Sequence, residues 1–454
     1  MLQPSSRDTP DSGPRVLYLT YWGALEPLGQ SLVLPALEGM AARGAALSLV
    51  TFEKPADLPL EGLVRSTSER MRRLGIPWAA LRYHKRPRIS ATLFDVLNGW
   101  RTGVLLGRQR RAQLVHGRTF VGGLIGRVVA ATLRIPFLYH NEGFYPDEMV
   151  DGGFWAEGSP MHRITKNLEQ RLYDSADGLI VLSVRSARRI EASPSVRRRG
   201  TPVIVVPSCV DLKRFVPGST TPRGSPLRLV YSGGVGGRYQ IERIGRFVAV
   251  LAEQGPVHLD VLTREPHATL AGMLAAGGLA EALWDSRFVP HSEVPARLVS
   301  AHAGLNFLAR GAGEIGASPT KIGEYWACGL PVVTTAGIGD TDDLIARFGC
   351  GVVVAEHSAA AYRRVGDELR KLLSDAELRG RCRAAAETHY ALEPACDRQV
   401  QLYRQLVRPP GLRPGTESTT STEPIDDSEV PRPLRASSLA SAIASPRPAP
   451  SHEA

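Results

Sequence analysis

Residues 318–329 of the chain read SPTKIGEYWACG, and Lys321 and Glu324 within them carry opposite charges one helical turn apart. Ser318 suits a helix N-cap, and Pro319 suits the first helical position, where a missing N–H costs nothing. Gly329 suits the position past the helix end, and Pro331 forbids continuation. The pattern predicts a helix over 319–328 with Lys321 at its third position, where a capping box would place glutamate. A lysine there opposes the helix dipole, whose N-terminus attracts anions. A phosphate shared by the ammonium and the unpaired helix N–H groups resolves the conflict. Glu324 lies on the same helix face. Its carboxylate accepts two hydrogen bonds, which suits a vicinal diol such as the ribose 2′- and 3′-hydroxyls. The same residues also fit an exposed Lys–Glu pair, which contributes little. The helix alone leaves both readings open.

Other stretches carry weaker signals. YSGGVGGRYQ (231–240) stands between a strand pattern and a helix pattern. Gly233 and Gly234 let a backbone approach a pyrophosphate, and Arg238 offers a charge. A tight strand–helix turn would need the same glycines. The spacing is not a dinucleotide fingerprint: counted from Gly234, the third glycine falls on Tyr239. The absence of G-x-x-x-x-G-K-[ST] argues against a P-loop. Gly23, in YWGALEPLGQS (21–31), follows the first strand. LVHGRTF (114–120) and YHNEGFYPDE (139–148) bring His116, Arg118, His140 and Glu142 to the ends of two strand patterns. For a lone histidine, a packing role is commoner than a catalytic one. Asp340 and Asp342 have metal-ligand chemistry, but acids before an apolar run read better as a helix start, so no metal is expected.

These residues must be positioned by a larger frame. Short apolar strands alternate with longer helical stretches, the mark of a parallel doubly wound sheet. Strands are expected at 15–20, 46–52, 113–117, 136–140, 178–183 and 202–207. A second series follows at 228–233, 258–263, 304–309, 331–335 and 349–354. The Pro/Gly/Ser/Thr stretch VPGSTTPRGSP (216–226) separates the two series. Two such sheets imply a cleft, and ligands in these folds bind at the carboxyl ends of strands. The Pro/Ser-rich ends, 1–14 and 409–454, lack the apolar residues to form a core and read as disordered.

The chain of 454 residues carries a net charge of +10. Its lysines are only Lys54, Lys85, Lys166, Lys213, Lys321 and Lys371, so arginine supplies most of the positive charge. The segment 65–111 gathers twelve basic residues against Glu69 and Asp95, interleaved with Trp78, Tyr83, Phe94 and Trp100. It fits a solvated arginine face or an anionic membrane surface. No nucleic-acid module is visible, and none is expected as a partner. The five cysteines are scattered, which argues against zinc and disulfides and for a cytoplasmic protein. Neither a secretory signal nor a transmembrane helix is expected from the sequence.

Taken together, these stretches resemble the family 4 glycosyltransferases of GT-B fold, and most of all a bacterial subgroup with S-x-P-T-K-x-x-E-Y-x-A-x-G-x-P-V-V. This chain supplies Ser318, Pro319, Thr320, Lys321, Glu324, Tyr325, Ala327, Gly329, Pro331, Val332 and Val333. Further matching stretches are EPLGQSLVLPAL (26–37), LVHGRTF, GFYPDEMVDGGFW (143–155), VVPSCVDLKRF (205–215) and the glycine loop. The resemblance implies two Rossmann-like domains facing a cleft. The first, 15–215 with a last helix at 394–408 crossing back, would hold the acceptor. The second, 227–393, would hold the donor. It implies a retaining transferase that moves a sugar from a UDP- or GDP-sugar to a carbohydrate or lipid-linked acceptor, without a cofactor. Ser318, Thr320, Lys321, Glu324, Gly23, Gly233, Gly234 and Arg238 would bind the donor; Arg118, His116 and Glu142 would serve catalysis. A role in cell-surface polysaccharide or glycolipid synthesis, at the inner face of the plasma membrane, is the matching expectation. His140 and Glu142 depart from the aspartate–arginine pair of the subgroup. The alternatives are a non-catalytic nucleotide-sugar-binding protein and a sugar-nucleotide epimerase.

Overall fold

The computed structural model describes residues 13–84, 86–218 and 224–407. Most of both tails, Lys85 and the middle of the expected linker fall outside them. Pro14, inside the stretch expected to be disordered, is tied to the first lobe: its carbonyl accepts the Ala46 N–H.

The first lobe holds strands β1 (Arg15–Thr20), β2 (Ala46–Glu53), β3 (Trp78–Arg82), β4 (Leu114–Arg118), β5 (Phe137–His140), β6 (Gly178–Val181) and β7 (Val203–Val205). Its helices are α1 (Leu34–Ala42), α2 (Glu61–Arg73), α3 (Arg88–Gln109), α4 (Phe120–Leu133), α5 (Tyr145–Asp151), α6 (Pro160–Ser175), α7 (Val184–Glu191) and α8 (Pro194–Arg199). The second lobe holds β8 (Leu227–Ser232), β9 (Val257–Leu262), β10 (Trp284–Arg287), β11 (Ala303–Asn306), β12 (Val332–Thr335) and β13 (Gly351–Val354). Its helices are α9 (Ile241–Gln254), α10 (His267–Ala276), α11 (Val294–Leu298), α12 (Thr320–Ala327), α13 (Thr341–Phe348), α14 (Ala359–Leu373) and α15 (Leu378–His389), with α16 (Leu392–Val407) following.

The sheets run in the orders β3-β2-β1-β4-β5-β6-β7 and β10-β9-β8-β11-β12-β13. All neighbours within them are parallel. Central strands read as unbroken apolar runs because helices cover both faces. The strands not anticipated, β3 and β10, are sheet edges and half-exposed. α16 returns to the first lobe: Cys396, Val400, Tyr403 and Leu406 share a core with Tyr18, Leu37 and Met40.

The segment 65–111 does not form one surface. Met71 of α2 packs in the core that contains Leu37 of α1, on one side of the first sheet. Val104 of α3 packs with Val129 of α4 in the core on the other side. Trp78 is committed to the sheet, its indole N–H donating to Thr51 Oγ1 at 2.7 Å. Among the described residues, no helix is long and apolar enough to cross a membrane.

Candidate active site

Strand order reverses between β1 and β4 in the first sheet and between β8 and β11 in the second. Such switch points open a crevice at the carboxyl ends of the strands. Gly23 follows β1, and His116 and Arg118 stand on β4. Gly233 and Gly234 follow β8, and α12 comes after β11. The two crevices meet: Ser208 N–H of the first lobe donates to Ser318 Oγ of the second at 3.1 Å.

That contact corrects one expectation. Ser318 does not cap α12; its hydroxyl serves Ser208, Pro319 takes the N-cap position, and no side chain caps the helix. Thr320 is the first helical residue and Lys321 the second, so the first turn of α12 holds a lysine and no acid. The other end follows expectation. Gly329 adopts φ +77°, Gly329 N–H donates to the Trp326 carbonyl and Leu330 N–H to the Tyr325 carbonyl, closing the helix in a Schellman motif.

Lys321 and Glu324 are not an exposed pair. They are 7% and 6% exposed, and no ion pair joins them. Lys321 Nζ has no hydrogen-bond partner and lies 4.1 and 4.5 Å from the ring centroids of Tyr231 and Tyr239. Burial, reinforced by the Arg238 charge and opposed by Glu324, pushes its pKa down to about 7. A buried ammonium without an acceptor is costly, and such groups cluster at functional sites. Gly233, at φ +140°, makes room for it: a Cβ there would lie 3.0 Å from Lys321 Nζ.

The glycine loop is pinned to its surroundings. Tyr231 O–H donates to the Gly234 carbonyl at 2.5 Å, and Ser232 N–H donates to the Tyr325 hydroxyl of α12 at 2.9 Å. Arg238 is not a free cation. Its Nη1 lies 3.2 Å from both Glu148 of α5 and Glu314. Glu314, fully buried, was not anticipated; its only sequence signal is an acid in the glycine-rich stretch GAGEIG. Burial pushes its pKa up to about 7, opposed by Arg238 and reinforced by Glu148 and Asp151.

In the first lobe, Gly23 lies against Glu53, another unanticipated residue. The Glu53 carboxylate accepts the N–H groups of Ala24 (2.8 Å) and Leu25 (3.0 Å). A Cβ on Gly23 would come 2.5 Å from Glu53 Oε2. An acid ending an apolar strand, ALSLVTFE, was the available clue. Arg118 Nε lies 2.5 Å from Glu142 Oε1, and Arg118 Nη1 donates to the Tyr18 hydroxyl at 3.2 Å. Burial raises the Glu142 pKa while Arg118 opposes the shift.

His116 is placed differently from a substrate-facing catalyst. It is fully buried, with Nδ1 2.7 Å from Tyr403 Oη of α16 and Nε2 3.2 Å from His140 Nδ1. Both ring nitrogens are engaged, because residue 116 sits two places inside the strand end that Arg118 occupies. Burial and the Arg118 charge hold both histidines well below the usual range, hence neutral. His140 Nε2 is 3.7 Å from Glu142. Asp340 and Asp342 do not converge as metal ligands. Asp340 accepts the Val184 and Arg185 N–H groups at the start of α7 (2.7 and 3.2 Å), and Asp342 accepts Gly337 N–H at 2.8 Å.

Comparison with known proteins agrees with this architecture. Residues 31–209 match the glycosyl transferase 4-like domain. No curated protein sequence matches the chain. Among solved structures, a sucrose-phosphate synthase from Thermosynechococcus elongatus superposes with TM-score 0.60 at 16% identity, over 87% of this chain and 99% of that one. A glycosyltransferase from Rickettsia africae gives 0.61 at 12% identity, over 88% and 99%. Anabaena Alr3699/HepE, solved with UDP and glucose, gives 0.59 at 13%, over 87% and 100%. The chain thus has the two-domain GT-B fold of these structures, and its first lobe matches a glycosyl transferase 4-like domain.

Proposed function

We propose that the chain is a glycosyltransferase that takes a sugar from a nucleoside diphosphate and transfers it, with retention, to an acceptor hydroxyl. The observation that carries this reading is the buried, unpartnered Lys321 ammonium in the first turn of α12. It faces Gly233 across the switch point of the second sheet, with Glu324 one turn deeper. The diphosphate would accept from the Lys321 ammonium and the first N–H groups of α12, including that of Thr320. The Glu324 carboxylate would accept from the ribose. Anabaena HepE holds UDP and glucose on the same fold.

Breaking the sugar–phosphate bond adds charge to the leaving diphosphate. A preorganised ammonium and helix N-terminus stabilise that charge without rearranging. Arg238 would contribute only by sharing its charge with Glu148 and Glu314. Gly23 would bring the first lobe against the diphosphate, with Glu53 holding its loop in place. Arg118 and Glu142, at the ends of β4 and β5, would line the acceptor side, and His116 would brace His140 behind them. Turnover of UDP- and GDP-sugars with Lys321→Ala and Glu324→Ala tests this. The lysine variant should lose roughly 100-fold or more in kcat/KM, the scale of removing a charge-stabilising donor. Full activity in both variants refutes the site.

Peripheral binding to anionic membranes is the companion proposal, narrowed by the fold to α3. This helix buries its glycines and exposes Leu93, Phe94, Leu97 and Leu105, with Arg101 and Arg108 exposed beside them. Large apolar residues facing outward among arginines suit a lipid interface. A lipid-linked acceptor would then reach the first lobe from the bilayer surface. Sedimentation with anionic vesicles should show binding that weakens with salt and falls about tenfold in Phe94→Ser/Leu97→Ser. Binding unchanged by these substitutions removes α3 from the proposal.

A further inference from the structure

We propose that His291 is a positioning residue for nucleotide recognition: it holds one oxygen of Glu324 so that the other reads the ribose diol. The inference deepens the donor-site reading above and rests on it.

His291 stands in the loop after β10, at the carboxyl end of the second sheet. Its Nε2 lies 2.8 Å from Glu324 Oε1. The other ring nitrogen, Nδ1, lies 2.5 Å from Nη2 of Arg214, which also bonds the His291 carbonyl. A guanidinium has donors and no acceptor, so Nδ1 must accept and the proton must sit on Nε2. The tautomer is thereby set: Nε2–H donates to Glu324. Phe215 fixes the ring from the side, with centroids 5.5 Å apart. Arg214, His291 and Glu324 form a relay in which each member has one available role.

This arrangement answers a problem posed by the site. A carboxylate one turn from a buried, unpartnered ammonium is drawn towards it, and a Lys321–Glu324 pair would occupy both ligand-binding groups. His291 holds the carboxylate away from that pairing. It leaves Glu324 turned and with one oxygen uncommitted. Such preorganisation strengthens binding by lowering the ordering cost. The gain is specific to a ligand with hydroxyls at that oxygen, because a ligand without them leaves a buried acceptor unpaired.

Calorimetry with UDP, GDP and their 2′-deoxy counterparts tests the relay. The parent protein should prefer the ribo form of whichever nucleotide it binds. His291→Ala should weaken the ribo form about tenfold and the 2′-deoxy form by less than twofold, so the preference collapses. His291→Gln, whose amide N–H can still donate to Glu324, should restore most of it. Arg214→Met, which frees the tautomer without touching Glu324, should shift the preference in the same direction by a smaller factor. An unchanged ribo-to-deoxy ratio in His291→Ala, or equal losses in the Ala and Gln variants, overturns the role of His291 alone. A parent protein that binds none of these nucleotides overturns the donor-site reading as well.

Discussion

Lys321 shows what burying a lysine without a hydrogen-bond partner costs. As an ordinary lysine it would hold its proton to 10.5; between Tyr231 and Tyr239 it holds it only to about 7. The facing rings attract the ammonium, but burial outweighs them. Between pH 7 and 10.5 the unfolded chain keeps this proton and the folded chain does not. Stability from this group therefore rises with pH across that window, and below pH 7 the full cost of the buried charge remains. Replacing the residue by an apolar one of similar length removes the cost. Lys321→Met should melt higher than the parent at pH 6–7, with the gap closing towards pH 10, while losing the thermal shift given by a nucleoside diphosphate. A variant that melts lower at every pH would show that the lysine is structural. The sequence showed this residue as a charge in the wrong place on a helix. It did not show the two tyrosines, which stand about 80 and 90 positions away in the chain.

At the scale of elements, legibility followed burial. The central strands β1, β2, β4 and β8 were visible as apolar runs. The edge strands β3 and β10 were not visible: β3 is a five-residue run, WAALR, set among arginines, and β10 is largely polar. WDSR carries little strand signal at all. The end of α12 was legible from Gly329 and Pro331, since caps are local. Its beginning was misread because the hydroxyl of Ser318 is claimed by Ser208, 110 residues away. The same helix is tied to the glycine loop through Tyr325, whose hydroxyl accepts from Ser232 N–H and whose ring lies against Gly304. Tyr325→Phe should cost about 1 kcal/mol, the worth of one buried hydrogen bond, and should weaken nucleotide binding by loosening the loop. Gly304→Ala should cost more, because its Cβ would stand 2.2 Å from a Tyr325 ring carbon in a core that cannot yield. Melting curves rank the two; a tolerated Gly304→Ala would mean that α12 can shift away from β11.

At the scale of the whole molecule, the lobes are held by contacts between residues far apart in sequence. Asp151 accepts Gly313 N–H at 2.8 Å, Arg189 Nη1 donates to the Ala312 carbonyl at 3.2 Å, and Arg238 joins Glu148 to Glu314. Asp340 is the most telling of these. It occupies the N-cap position of α13, as its sequence context suggested, but its carboxylate accepts the first two N–H groups of α7 in the opposite lobe, beside the Ser183 hydroxyl that caps that helix. A cap ordinarily stabilises its own helix; this one joins the stability of α7 to the approach of the lobes. Neighbouring Asp342 provides the control, because its bond to Gly337 N–H stays within the second lobe. Asp340→Ala should lower stability by about 1–2 kcal/mol, the scale of a lost N-cap, and also raise the radius of gyration measured by X-ray scattering. It should raise KM for a nucleotide sugar as well, since the two crevices must meet to enclose a donor. Asp342→Ala should lower stability without changing either of the other readings. If both variants leave the radius unchanged, the lobes are held by the remaining contacts, and Asp340 is a cap that happens to reach across. If only Asp340→Ala expands the molecule, then the residue at the start of α13 in one lobe holds the start of α7 in the other through its carboxylate, and lobe closure depends on it.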